Sequence, residues 1–389
     1  MDKAQLLREQ LKRRQEYMNN NYTHIDLLKR IVEIPSISGQ EEVLADFLQQ
    51  YMSSLGYNST LDEAGNLIVE KGDLDAPLIL LLGHMDTVAP YTNVQEKDGK
   101  LYGRGSVDAK GALATFISAF HQVEMDCRLI IVGAVEEEVS SSKGANYILH
   151  HYNPDAVIIG EPSGCSNIVV GYKGKIGIHY SIENLSSHSA GNGDKSTMLA
   201  YNFWNQLNEF INKNASSAFY DPTATITNIE GTMEKCSMDI SIRIPPEYDI
   251  EALKQFVFSI QDQATISFSE VTPAVLKKRD STVARALLSA IREFSLQPKV
   301  KVKTGTSDMN IVNTKWSNIP MIAYGPGDSM LDHTPNEHLE LKEYELAIQI
   351  LKLGLENLSN ELIESNQDVF SAEDEEEITQ RLQALGYID

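Results

Sequence analysis

Cysteine is scarce in this 389-residue chain: only Cys127, Cys165 and Cys236 occur, and no two of them fall at CxxC spacing. That excludes a disulfide framework and a thiolate zinc finger, and a reducing cytoplasm is the compartment it fits. Long apolar runs are also missing. No stretch approaches the ~20 residues that span a bilayer, and Met1 to Met18 is charged throughout, without the apolar centre of a secretory signal. Positive charge is in short supply, with 33 Lys and Arg against 55 Asp and Glu and a formal net charge of -22. Such a surface repels a phosphate backbone and anionic lipid alike, so neither nucleic acid nor membrane is an expected partner. Part of the excess is local, because Asn360 to Asp389 is strongly acidic and holds Arg381 as its only basic residue. Neither HExxH nor GxSxG occurs, which removes support for a single-zinc helix site and for a nucleophile elbow.

What remains is an ordinary globular composition, 42% hydrophobic and 23% charged, in a chain long enough to expect two cores. Ala4, Leu7, Leu11 and Met18 fall near helical spacing and predict an appended amphipathic helix over residues 1–21. A second helix starts near Ile25 and stops before Ile34-Pro35. From there short apolar runs alternate with helical stretches: Asn66 to Val69, Leu78 to Leu82, Ala112 to Val123, Leu129 to Val135, Lys143 to His150 and Ala156 to Ile159. This alternation predicts an α/β domain with mainly parallel strands. Near Tyr172 the texture changes to period-2 stretches, Ile176 to Ile182 and Ser237 to Ile244, around a helix at Met198 to Ile211. The expected organisation is a catalytic α/β domain over 22–171 and 274–358, an inserted α+β domain over 172–273, and an acidic segment over 359–389.

The polar residues that follow the apolar runs carry the chemistry. Leu78 to Leu82 delivers His84 and Asp86 just past a strand end, where α/β sheets bind ligands. If the chain stays extended there, both point to one side, so the carboxylate can hold one imidazole nitrogen while the other meets a metal. Gly103-Arg104-Gly105-Ser106-Val107-Asp108 nearly mimics a dinucleotide fingerprint but puts Asp108 at the third glycine. A carboxylate there can bridge two cations, or simply cap the helix that follows. Leu129 to Val135 ends in Glu136-Glu137-Glu138, and such crowded carboxylates repel one another unless positive charge lies between them. A further strand ends at Glu161, and far downstream Asp332-His333-Thr334-Pro335 supplies a second histidine in a loop before a helix. Together these residues suit paired zinc ions, which can clamp a water and polarise a carbonyl.

In order, these motifs resemble the acetylornithine deacetylase, succinyl-diaminopimelate desuccinylase and carboxypeptidase G family of co-catalytic zinc hydrolases, over about Tyr22 to Leu358. The phrases Gly-Tyr-Lys-Gly-Lys around Tyr172 and Lys-Thr-Gly-Thr-Ser-Asp-Met-Asn around Asp308 look most like its LysK branch. That branch releases lysine or ornithine from an amino-group carrier protein, or deacetylates N-acetyl-lysine. The resemblance implies a zinc-peptidase-like α/β catalytic domain with an inserted α+β lid that mediates homodimerisation. It implies one Zn2+ on His84, Asp108 and Glu161 and a second on Asp108, Glu138 and His333, with Co2+ as the alternative metal. Asp86 would orient His84, Glu137 would be the general base, and His188 in the lid would reach the partner subunit's site. Arg243 and the loop Gly305, Thr306, Ser307 and Asp308 resemble contacts to the substrate carboxylate.

The implied substrate is a small N-acyl amino acid or a carrier-protein conjugate. Two other readings stand beside it. A dipeptidase or carboxypeptidase would share every catalytic part and differ only in its pocket, and an inactive relative would serve as a binding protein. The terminal segments are either docking pieces for a partner or helices packed on this protein's own surface.

Overall fold

A computed structural model describes residues 23–183, 194–213 and 217–367. The expected helix over residues 1–21, the lid histidine His188 and the acidic stretch from residue 368 onward lie outside the described residues.

The fold is α/β. A nine-stranded sheet runs in the order Asn58–Leu61, Leu67–Lys71, Arg128–Ala134, Leu78–His84, Ala156–Ile159, Met321–Ala323, Asn167–Tyr172 and Val275–Leu276, with Lys299–Lys303 also paired to Asn167–Tyr172. Its centre is parallel, from Arg128–Ala134 across to Met321–Ala323. Its flanking pairs are antiparallel except for Lys299–Lys303, which joins Asn167–Tyr172 in parallel, so the sheet is mixed rather than mainly parallel. Local chemistry explains one flank. The Asp62 carboxylate accepts from the backbone N–H groups of Ala64, Gly65 and Asn66, folding the chain back at once, and so short a link can only join antiparallel strands.

Leu78–His84 is buried at every position because both faces of the sheet are covered. Ile79 and Leu81 pack into one core with the helices His24–Glu33, Lys110–Gln122, Thr282–Glu293 and Leu341–Gln367. Leu80 and Leu82 face the opposite core, with Ala145, Ile148, Met309 and Trp316. Each such side chain contributes roughly 1.5–3 kcal/mol on burial, so the strand that ends in His84 is held firmly from two sides. The helix His24–Glu33 begins in a capping box, with the Asp26 N–H donating to Thr23 Oγ1 and the Thr23 N–H to the Asp26 carboxylate, and ends before Pro35.

At Tyr172 the chain leaves this sheet, and it returns at Val275, which pairs with Tyr172. Between them lies a four-stranded antiparallel sheet, in the order Thr223–Gly231, Lys235–Ile244, Gly174–Glu183, Thr265–Phe268. Strict alternation of buried and exposed residues along Gly174–Glu183 puts Ile176, Ile178, Tyr180 and Ile182 into a separate core beneath the helices Ser196–Asn212 and Ile250–Ser259. A third, three-stranded sheet joins Gln95–Lys97, Lys100–Tyr102 and His338–Glu340. The last helix runs through Gln367, with Ser359 buried and Leu362 and Ile363 packed against the main core. Among the described residues no helix is long and apolar enough to cross a membrane.

Candidate metal centre

Parallel pairing brings several polar loops to one edge. His84 is the last residue of its strand and pairs with Ala134, so Glu136, Glu137 and Glu138 begin beside it. The next strand in the sheet ends at Ile159, and Glu161 follows at the same edge. Asp108 lies in the turn that opens the helix Lys110–Gln122. His333 follows a short 3-10 turn, Ser329–Leu331, and precedes the strand His338–Glu340 rather than a helix directly.

Asp108 sits between the two histidines. One of its oxygens lies 3.4 Å from His84 Nε2 and the other 3.2 Å from His333 Nε2. His333 Nε2 is also 3.0 Å from Glu138 Oε1. Two groups of converging ligand atoms result: His84 with Glu137 and Glu161, and Asp108 with Glu138 and His333, each group gathered within 4.8 Å. His84 is 1% exposed and its Nε2 has no hydrogen-bond partner, an orphan a buried imidazole does not normally tolerate. Its Nδ1 is held from behind, 3.0 Å from the Asp86 carbonyl and 3.4 Å from the Asp86 carboxylate.

Asp86 does more than face His84. Its two carboxylate oxygens accept from the backbone N–H groups of Glu137 and Glu138, both at 3.0 Å, and from the Ser38 hydroxyl at 2.7 Å. The imidazole and the acidic turn are therefore fixed by one fully buried side chain. Sequence reasoning missed the Ser38 and backbone contacts, because nothing in a linear pattern marks which N–H groups a carboxylate will meet.

Electrostatics describe a site crowded with negative charge. Burial, with Asp108 and Glu138 nearby, pushes the Glu161 carboxyl up to about 8. Burial holds Glu137 well above the usual carboxylate range; His84 opposes this, while Glu161, Asp308 and Glu138 reinforce it. Burial works against ionising Asp108, yet the His333 and His84 imidazoles beside it keep it below the ordinary value. Hydrogen bonds to Asp108 and Glu138 raise His333 to about 10. Protons and divalent cations compete for such a set of atoms, and cations between the carboxylates relieve the repulsion that raises Glu137 and Glu161. All six side chains offer carboxylate oxygen or imidazole nitrogen, the chemistry of zinc and similar divalent ions, and the two groups fit a dinuclear site.

Of the residues expected to contact substrate, Arg243 Nη1 donates to Thr306 Oγ1 at 3.1 Å, so the second sheet and the Thr306 loop meet here. Gly305 has open space around it. Ser307 caps the short helix Asp308–Val312 through the Met309 N–H. Asp308 is 3% exposed and has an unpartnered Oδ1. Burial pushes its carboxyl up to about 7.

Residues 80–357 match the family described as Peptidase family M20/M25/M40. The chain belongs to that family. A LysW-lysine hydrolase of Deinococcus radiodurans is 38% identical over 352 residues, covering 86% of this chain and 96% of the relative. A protein of Pyrococcus furiosus named as a putative LysW-lysine/LysW-ornithine hydrolase is 39% identical over 344 residues, covering 86% and 97%. Among solved M20 structures, a metallo-carboxypeptidase from Sulfolobus solfataricus superposes with a TM-score of 0.75 at 18% identity, covering 87% of this chain and 99% of that one. A tripeptidase from Staphylococcus aureus gives 0.74 at 21% identity, covering 87% and 98%. Membership in the M20 family makes the chain a hydrolase, and the two donor groups give it the residues of a dinuclear centre.

Proposed function

We propose that this protein hydrolyses the amide bond of an N-acyl or carrier-linked amino acid, releasing lysine or ornithine. The observation that carries the reading is Asp108, whose two oxygens face His84 and His333 in a member of the M20 family with relatives named for LysW-lysine and LysW-ornithine hydrolysis. His84, Asp108 and Glu161 would hold one Zn2+, and Asp108, Glu138 and His333 the other. When bound, the ions polarise the scissile carbonyl and favour deprotonation of the attacking water.

The chain's own residues do the rest. Glu137, beside His84 and Glu161 but assigned to neither ion, takes the proton of the attacking water and returns it to the departing amine nitrogen. Asp86 locks His84 and the Glu137 backbone in one arrangement. Arg243, already oriented by Thr306, takes the substrate α-carboxylate. Asp308 is itself an acid and suits an amino group better than a carboxylate. The residues between Tyr172 and Val275 form the lid, through which two copies pair and His188 enters the neighbouring site to stabilise the developing oxyanion.

Metal-loaded protein should be assayed against N-acyl-lysines, N-acyl-ornithines, carrier conjugates, dipeptides and peptides with free carboxyl termini. The diamino-acid substrates should show the highest kcat/KM. If dipeptides or carboxyl-terminal peptide bonds are cleaved far faster than all of them, a peptidase assignment replaces this one.

A further inference from the structure

Two charged residues outside the ligand set are almost completely buried where the Asp108 and His333 loops meet. Arg104 is 4% exposed and Glu337 2%, and they pair at 2.7 Å between Nη1 and Oε2. Their remaining polar atoms reach the two ligand loops. Glu337 Oε1 accepts from the backbone N–H of Val107 at 3.0 Å and of Asp108 itself at 3.2 Å. Arg104 Nη2 donates to the backbone carbonyl of His333 at 3.3 Å, and Arg104 Nε to that of Pro90 at 3.4 Å. The Gly103 N–H closes the arrangement by donating to the Glu337 carbonyl at 3.2 Å.

A second observation says this pair does more than fill the core. His333 has φ 61, the left-handed region that a residue with a β-carbon keeps only when its surroundings enforce it. The contact on its carbonyl from Arg104 supplies such enforcement. A buried ion pair is also a poor way to gain stability compared with apolar side chains of similar volume. Its value here lies in what it holds at a fixed separation.

We infer that Arg104 and Glu337 are positioning residues that set the spacing of Asp108 and His333, and so control binding of the ion held by Asp108, Glu138 and His333. This rests on the dinuclear reading above. His84 and Glu161 are fixed by the ends of central strands and make no hydrogen bond with the pair, whereas the Asp108 N–H donates to Glu337 and the His333 carbonyl accepts from Arg104. Loosening the pair therefore releases one ion first. Loss of a residue that orients a metal ligand typically weakens metal affinity by about 10–100-fold.

The test is stepwise metal titration of the full-length, metal-stripped protein with Co2+, read by visible absorption and calorimetry, alongside thermal unfolding. Wild type should bind two ions. Glu337→Gln, nearly isosteric, should keep one ion at close to wild-type affinity and bind the second about 10–100-fold more weakly. Its one-ion cobalt spectrum should match that of His333→Ala, which lacks a side-chain ligand of the same ion. Arg104→Lys keeps the charge but loses the fork that reaches the His333 carbonyl, and should shift the second affinity in the same direction by less. Parallel weakening of both ions in Glu337→Gln, or two unchanged affinities with only a lower Tm, would overturn the inference. Wild type binding fewer than two ions would instead remove the dinuclear reading beneath it.

Discussion

Glu137 and Asp108 are both half-buried acids of one site, yet removing each should do different things. Glu137→Ala takes away a proton-transfer group and no assigned ligand, so both metals should stay while turnover falls by about 10²–10⁴. Metal analysis and kcat measured on the same sample check this, and near wild-type turnover would remove Glu137 from the role of base. Asp108→Ala should lose metal and activity together, since its two oxygens face both halves of the site. Cys165 is a residue whose effect depends on pH. Burial pushes its thiol from 9.0 up to about 12, so between those values the folded chain keeps a proton that the unfolded chain has released. Stability from this group is present below pH 9 and declines as pH rises toward 12. Urea midpoints should fall from pH 8 to pH 10, and the fall should be smaller in Cys165→Ala. At this scale the chemically loud residues stand out in the sequence, and the structure gathers them in two groups, His84 with Glu137 and Glu161, and Asp108 with Glu138 and His333. Arg104 and Glu337 do not stand out, because their partners are backbone atoms more than two hundred residues away.

Strands and helices were readable where burial left a pattern. The apolar run Leu78 to Leu82 announced a strand, and the alternation through Ile176 to Ile182 announced one face of a different sheet. Strand direction was hidden, because it depends on how the connecting turn folds; the Asp62 turn, which sets an antiparallel flank, shows only as a short polar stretch. The contact between elements that most directly shapes the acidic turn is equally silent in sequence. Asn66 accepts from the Val135 N–H and donates to the Gly144 carbonyl, tying the strand before Glu136 to the helix Lys143–Ile148. A β-carbon on Gly144 would lie 2.3 Å from Asn66 Oδ1 and 2.6 Å from the Val135 nitrogen. Gly144→Ala should cost about 1–3 kcal/mol in urea unfolding and lower kcat as well, because the displaced strand end carries Glu137. Unchanged stability would show that the helix can move aside freely.

Across the whole molecule, every proposed catalytic residue lies between His84 and His333. Deleting Met1 to Asn20 and Ser371 to Asp389 should therefore leave turnover of a small N-acyl substrate intact. Loss of turnover in a truncated protein that remains folded would make the termini part of the active unit. If His188 acts across a dimer, mixing His188→Ala with Glu137→Ala chains should restore partial activity. Failure to do so in verified mixed dimers would exclude action in trans.

The strand Met321–Ala323 lies between Ala156–Ile159 and Asn167–Tyr172, although it is synthesised long after both. During translation the central sheet must wait for it with two edges unfilled, for roughly 8–32 seconds at the usual rate of about 5–20 residues per second. Unfilled edges invite pairing with other chains. An incomplete sheet is therefore exposed, still tethered to the ribosome, on every round of synthesis. Any product that terminates before residue 321 keeps those edges for good, and should be found in the insoluble fraction or bound to chaperones rather than accumulating as a stable fragment.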